Sequence, residues 1–288
     1  MRLVHISDLH FGPLYDTEVG ERLLLSVAEV KPTTIVVSGD MTQRATRSQF
    51  IAAAEWLKRA AQLTENIVIC PGNHDIPMYR VWERILHPFH LYQEYISEKL
   101  DQVYHGTDVT IVSLNSVRPW SRLVQGRLSP KQFVMTAEGF AKSNDKKLHV
   151  LMFHHPLITF QKQDHHPGLD VRWQEISGGE RVDLVLTGHL HDSEVHLMHD
   201  EVTGKPMLLI SCGTSASKRG RGKDAGRNSF NVIEGSRENL KVQTYYYDGE
   251  RKAFLVSDVS KYDLTKNQPV KSLESINPEA PAHLEVKI

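Results

Sequence analysis

Cysteine is nearly missing from this chain: Cys70 and Cys212 are the only two in 288 residues. Each closes an apolar run, 66–70 and 207–212, so both read as buried free thiols of a reducing compartment rather than a disulfide framework. Long apolar runs are missing too. None approaches the roughly 20 residues of a membrane span, which excludes a transmembrane helix. Met1 leads straight into Leu3-Val4-His5-Ile6; this leaves no room for a signal peptide, and a cytoplasmic location is expected. An excess of one charge is absent: the formal net charge is -1, so no overall field draws the protein to nucleic acid or an anionic membrane. No internal repeat or linker interrupts the chain. One large domain is expected over residues 1–250. A tail over 251–288, loosely structured or packed on the domain, follows where Pro, Asn, Ser and Lys rise. Histidine, by contrast, is abundant at 16 residues, and its placement decides the functional reading.

Residues 2–7 read as a buried strand that delivers Asp8-Leu9-His10 into a loop with Gly12-Pro13. On an extended segment Asp8 and His10, two apart, point the same way, as two ligands of one metal require. Thr17 to Val30 reads as a helix capped by Thr17, with Leu23, Leu24, Val27 and Val30 on one stripe. Thr34 to Ser38 is a second buried strand with Gly39-Asp40 at its end. A helix from roughly Ser48 to Gln62 follows, with Phe50, Ile51, Ala54, Leu57 and Ala61 as its apolar residues. The run Asn66 to Cys70 then opens into Pro71-Gly72-Asn73-His74-Asp75: a turn former, a carboxamide, an imidazole and a carboxylate in succession. Strand–helix–strand spacing of this kind gives a parallel sheet, whose ligands gather beyond the carboxyl ends of the strands. Asp8, Asp40 and Asn73 each fall at such an end.

Further strands are expected at Val109–Leu114, at Leu148–Phe153 ending in His154-His155-Pro156, and at Asp183–Leu186 ending in Thr187-Gly188-His189-Leu190-His191. Ser129-Pro130 opens a helix that runs to about Lys142. Segments 194–199 and 206–212 pair around Thr203-Gly204-Lys205, and 228–235 pairs with 239–247 around Gly235-Ser236. Two packed sheets with helices on the outer faces follow. The aromatic and histidine side chains of 76–100 (Tyr79, Trp82, His87, Phe89, His90, Tyr92, Tyr95) are expected mostly as core under a helical lid, or as a dimer face if exposed. His5 reads as a core histidine, and His196 and His199 as surface residues. His165-His166 belongs to an exposed loop or a substrate rim. The run Lys218-Arg219-Gly220-Arg221-Gly222-Lys223 with Arg227 reads as a solvated loop, or as a flexible loop gripping a nucleotide phosphate or a nucleic-acid strand.

Five strand ends thus carry Asp8 and His10, Asp40, Asn73 and His74, His154, and His189 and His191. Asp, Asn and His without Cys suit a borderline or hard divalent ion, Mn or Fe first, with Zn, Co or Ni also compatible. Seven such ligands are too many for one catalytic ion that keeps an open position. Two divalent ions sharing a carboxylate fit the count, with Asp40 as the bridge.

The ordered motifs Asp8-x-His10, Gly39-Asp40, Gly72-Asn73-His74-Asp75, His154 and Gly188-His189-x-His191 resemble those of the calcineurin-like metallophosphoesterase superfamily. Within it the chain resembles the bacterial class III cyclic-nucleotide phosphodiesterase branch, which also begins at its first strand and carries Gly-Asn-His-Asp and His-His-Pro. The resemblance covers roughly residues 1–245. It implies an α/β fold, a four-layer α/β/β/α sandwich with two mixed β-sheets flanked by helices. It implies one metal on Asp8, His10, Asp40 and His191, a second on Asp40, Asn73, His154 and His189, and His74 as an acid that binds neither. The family pattern places the ligand at the first His of His-x-Pro, hence His154 rather than His155.

The expected activity is hydrolysis of a small phosphodiester, a cyclic nucleotide first, with a metal-bridging hydroxide as nucleophile. His74 would stabilise charge or protonate the leaving oxygen, and Asp75 would orient His74 or another ring. The alternatives are a nuclease with loop 218–227 on the strand, a phosphomonoesterase, and a non-catalytic metal-bearing scaffold. No aromatic residue interleaves with that loop, so it offers no base-stacking platform. A homodimer remains open.

Overall fold

The computed structural model describes residues 1–120, 125–157, 177, 179–200, 203–266 and 272–273. Three strands and two helices open the chain: β1 (Arg2–Ile6), α1 (Thr17–Val30), β2 (Thr34–Val37), α2 (Arg47–Ala60) and β3 (Asn66–Ile69). Two short helices, α3 (Val81–Leu86) and α4 (His90–Tyr95), lead to β4 (Gln102–His105) and β5 (Val109–Ser113). Next come α5 (Pro130–Ala141), β6 (Leu148–Met152), β7 (Leu184–Thr187), β8 (Glu194–His199) and β9 (Pro206–Ser211). The chain closes with β10 (Ser229–Gly235), β11 (Leu240–Asp248), β12 (Ala253–Tyr262) and β13 (Ser272–Leu273).

The strands form two mixed sheets, ordered β13-β12-β11-β10-β1-β2-β3 and β4-β5-β6-β7-β9-β8. β1, β2 and β3 run parallel, as do β5, β6, β7 and β9, so their carboxyl ends share one edge of each sheet. These strands are buried on both faces, which is why they read as continuous apolar runs rather than alternating ones. Leu3, Val36 and Val68 of the first sheet meet Ile111, Val150, Leu184 and Leu208 of the second. Leu23 and Val27 of α1 and Ala53 and Trp56 of α2 cover one outer face, and Phe140 of α5 covers the other. The expected four-layer α/β/β/α sandwich is therefore the observed fold.

Several local expectations are corrected. Asp16, not Thr17, caps α1, its Oδ1 accepting from the Val19 amide at 3.3 Å. The buried face of α2 is Phe50, Ala53, Trp56 and Ala60, while Ile51 is 41% exposed; alanine at so many positions fits more than one stripe. β4 had no sequence signal strong enough to name it. Residues 253–262, expected in a tail, are β12, paired with β11 along its length; this strand is half-exposed and carries Ser, Asp and Lys, so it lacks the apolar run that marks the central strands. In the 76–100 segment Tyr92 is buried, but Tyr79 and Trp82 are each 77% exposed, so those two rings are not core. His5 is a core histidine as read, with Nε2 2.9 Å from Ser38 Oγ. Cys70 and Cys212 are buried and free. His165 and His166 lie outside the described residues, as does most of the tail. Among the described residues, no helix is long and apolar enough to cross a membrane.

Candidate metal centre

The carboxyl ends of β1, β2, β3, β6 and β7 converge, and each delivers its motif to one point. The loops after β1 and β2 run side by side, with Asp8, His10 and Phe11 amides donating to the carbonyls of Gly39, Asp40 and Met41. Asp8 and His10 do not converge by strand alternation, as expected from sequence. Both sit in left-handed backbone, at φ 52° and 51°. Asp40 (φ 52°), His189 (φ 72°) and His191 (φ 58°) share this conformation. A non-glycine residue in this region costs about 1–2 kcal/mol, and such outliers concentrate where a site over-determines the backbone. Gly188 makes the approach of β7 to β1 possible: a Cβ there would lie 2.0 Å from Ser7 Oγ.

Two donor sets result. In the first, His191 Nε2 lies 3.1 Å from Asp8 Oδ1 and 3.0 Å from His10 Nε2, which is 3.7 Å from Asp40 Oδ2. Ligand atoms of Asp8, His10, Asp40 and His191 all fall within 4.8 Å of one another, and all four residues are buried. In the second, His154 Nε2 lies 3.4 Å from Asp40 Oδ2, 3.1 Å from Asn73 Oδ1 and 3.3 Å from His189 Nδ1; the last is 2.9 Å from Asn73 Oδ1. Asp40 Oδ2 is the atom common to both. Its other oxygen is taken by the His74 amide at 2.8 Å. Asp8 is split the same way: Oδ2 accepts from Ser7 Oγ and the His189 amide, leaving Oδ1 for the cluster. Asp8 Oδ1 and Asp40 Oδ2 are buried and accept no hydrogen bond. Buried carboxylate oxygens that accept no hydrogen bond, with imidazole nitrogens 3.1 to 3.7 Å away, are the coordination demand of a cation. Nitrogen and oxygen donors with no thiolate fit two borderline or hard divalent ions.

The surroundings orient the rings. His154 Nδ1 donates to the Ser38 carbonyl at 2.7 Å and His191 Nδ1 to the Arg219 carbonyl at 2.8 Å, which leaves each Nε2 as the inward donor atom. Burial pushes the His10 imidazole down to about 4 and the His189 imidazole well below its usual range. Burial opposes a proton on His154 too, but the Asp40 carboxylate outweighs it and lifts the ring to about 9. The Asp40 carboxyl in turn is lowered despite its burial, with His154 and His74 as the leading causes. A divalent ion would take the place of the proton that the Asp40 carboxylate favours on His154.

His74 stands apart from both donor sets. Its Nδ1 donates to the Gln43 carbonyl at 2.9 Å, and its ring meets His10 edge-on at 4.9 Å. It lines a cavity of about 460 Å³ with Asp40, Asn73, His189, His191, Tyr79 and Arg219. Asp75 does not orient His74. It accepts from the amides of Met41, Thr42 and Gly72 at 3.2, 2.8 and 2.9 Å and clamps the β2 and β3 ends together. His155 stays outside the cluster, 2.8 Å from Ser116 Oγ, with its ring 4.7 Å from that of His189. His196, on β8, pairs with Glu194. In the basic run Arg219 reaches the cavity, and backbone bonds from Lys218 and Arg221 tie the loop to Leu14 and His191. The supporting carbonyls of Gln43 and Ser38 carried no sequence signal, since any residue supplies one.

A family model described as calcineurin-like phosphoesterase matches residues 1–193. A transmembrane protein with a metallophosphoesterase domain from Danio rerio is 24% identical over 197 residues, 68% of this chain and 41% of that protein. The chain thus spans about two-fifths of that curated relative's length. Among solved structures, a purple acid phosphatase from yellow lupin (Lupinus luteus) seeds aligns over 89% of this chain and 52% of its own, with a TM-score of 0.68 at 12% identity. A dimetal phosphatase from Danio rerio aligns over 85% of this chain and 95% of its own, with a TM-score of 0.55 at 11% identity. At these identities the likeness is one of fold.

Proposed function

Because the chain belongs to the calcineurin-like phosphoesterase family, we propose that it is a metal-dependent phosphoester hydrolase acting on a small phosphodiester, a cyclic nucleotide first. The observation that carries this is Asp40 Oδ2, free of hydrogen bonds between two donor sets, with His74 on the wall of the same cavity. Asp8, His10, Asp40 and His191 would hold one ion, and Asp40, Asn73, His154 and His189 the other. Two divalent ions, Mn or Fe by preference, supply water activation and charge neutralisation at the phosphoryl oxygens when bound.

The chain's own groups do the rest. The Gln43 carbonyl holds the His74 ring by Nδ1, leaving Nε2 for the substrate. Protonated there, His74 donates to the leaving oxygen. Its own proton affinity is lowered, chiefly by burial and against the pull of Asp40. Asp75 keeps the strand ends in register so that Asn73 and Asp40 present their oxygens together. The cavity volume of about 460 Å³ lies in the range of small-molecule sites, which supports a nucleotide-sized diester. The buried thiols Cys70 and Cys212 support a reducing, cytoplasmic setting.

A nuclease is the second reading, favoured by Arg221 at the cavity and exposed Lys218 and Lys223 beside it. A substrate panel on Mn-loaded protein tests both: bis-p-nitrophenyl phosphate, p-nitrophenyl phosphate, cAMP and single-stranded DNA, with Mn per chain measured in parallel. Diester turnover far above monoester turnover is expected. The reverse ranking rejects the diester assignment, and a fully loaded protein inert to every ester rejects hydrolysis. Strand cleavage would weaken steeply with salt, whereas cAMP turnover would not.

A further inference from the structure

The loop after β9 is tied down at several points. The Arg221 amide donates to the His191 carbonyl at 3.2 Å, the His191 ring to the Arg219 carbonyl at 2.8 Å, and the Lys218 amide to the Leu14 carbonyl at 2.9 Å. At its far end the Arg227 guanidinium lies 3.7 Å over the Tyr246 ring, and buried Asp224 accepts from the Ser193 amide at 2.8 Å. Three of these five contacts use main-chain atoms of the loop and the other two use Arg227 and Asp224, so none depends on which side chain stands at 219. The loop presents Arg219, half-buried, to the cavity that holds His74, Asp40 and Asn73.

Arg47, Arg59, Arg80, Arg181 and Arg237 all form ion pairs. Arg219 forms none among the described residues, although Asp40 and Asp8 are the opposite charges whose field it feels. Those two carboxylates are the ones the donor sets commit to cations. With cations bound, Arg219 faces a site of positive sign with its five donors unspent, an arrangement that selects an anion with paired oxygens. We infer that Arg219 is a substrate-binding residue whose guanidinium fork takes non-bridging oxygens of the phosphoryl group, its own backbone held by the ring of metal-site residue His191. This rests on the phosphoester reading above.

The test compares Mn-loaded wild type with Arg219→Gln and Arg219→Lys. In Arg219→Gln, the calorimetric Kd for inorganic phosphate should weaken about 10- to 100-fold, the range of a charge-assisted hydrogen-bond pair. The KM for bis-p-nitrophenyl phosphate should rise in step while Mn per chain stays at the wild-type value. Arg219→Lys should recover only part, because an ammonium lacks the fork. Unchanged phosphate affinity and KM in Arg219→Gln overturn the inference. Equal Mn loss in both variants also overturns it, since the side chain would then serve the loop rather than the ligand. Should the wild type bind phosphate yet hydrolyse nothing, the hydrolase reading falls alone. Calorimetry then decides Arg219 by itself: weaker phosphate binding in Arg219→Gln upholds its role, and equal binding overturns it.

Discussion

Replacing Gly72 by alanine adds one methyl group at a tight point of the metal centre and changes no donor residue. A Cβ there would lie 2.1 Å from Asp40 Oδ1, 2.3 Å from Asp40 N and 2.7 Å from Asp40 Cγ, whereas ordinary contact begins at 3.4 Å. Gly72 has φ -106° and ψ 176°, open to alanine, so the penalty is contact and not backbone strain. Rotating the Asp40 side chain does not relieve it, because the clash includes the backbone nitrogen. The Asp40 segment must shift by about 1 Å, at the roughly 1–3 kcal/mol typical of overpacking. In a chain of this size that lowers Tm by about 2–10 °C. The functional loss should be larger. Asp40 Oδ2 belongs to both donor sets, so one displacement weakens both ions, and a misplacement of about 1 Å in a reacting site costs on the order of 100-fold in rate. Three measurements follow it: Mn per chain by mass spectrometry, turnover of bis-p-nitrophenyl phosphate, and thermal unfolding with EDTA or Mn. Most of the bound Mn and the Mn-dependent rise in Tm should disappear. Gly249→Ala, where nothing lies within 4 Å of the new Cβ, is the control and should change neither. A Gly72→Ala protein with wild-type Mn content and turnover would refute the shared role of Asp40.

His74→Ala should keep its Mn but lose about 10²–10⁴ in kcat on cAMP, the range of acid catalysis, and much less on p-nitrophenyl esters, whose leaving group needs little protonation; equal losses on both would reject the acid role. Burial pushes the His5 imidazole down to about 3, against about 6.5 in an unfolded chain. The unfolded state therefore binds the extra proton, and the stability that neutral His5 contributes is present above pH 6.5 and is lost as pH falls towards 3. Urea unfolding of the metal-free protein should show a slope of stability against pH that is shallower in His5→Gln by up to about 1.4 kcal/mol per pH unit between roughly pH 6 and 4; identical slopes would contradict the buried, neutral ring. Asp183 is buried, accepts from Arg181 Nε at 3.1 Å and the His149 amide at 2.8 Å, and forms an ion pair with Arg237, whose Nε lies 3.2 Å away. Asp183→Ala leaves both guanidinium groups without it and should destabilise by about 3–5 kcal/mol, read as a drop in the urea midpoint with Mn content retained in the folded protein.

Legibility followed the range of the physics. Buried parallel strands are apolar on both faces, so 34–38, 66–70 and 148–153 announced themselves locally, and the polar residues at their ends stood out because nothing in a core calls for them. β12 hid because its exposed positions break the run, and the exposure of Trp82 depends on what packs over it. The basic run of 218–227 was visible, but which of its arginines line the cavity was not, since that follows from contacts such as the His191 ring donating to the Arg219 carbonyl, 28 residues away.

What the amino-acid sequence determined alone was the inventory: seven donor residues without a thiolate, placed in order at strand ends, and one further histidine beside them. What only the tertiary structure decided was the division of labour between atoms of one residue. Asp40 Oδ1 is taken by the His74 amide while Oδ2 is left between two ring clusters, and Asp75 is turned to main-chain amides instead of to His74. The reason is physical. Residue type and spacing act over a few positions, whereas the direction of a carboxylate oxygen is set by left-handed backbone at Asp8, His10, Asp40, His189 and His191 and by partners more than thirty residues distant.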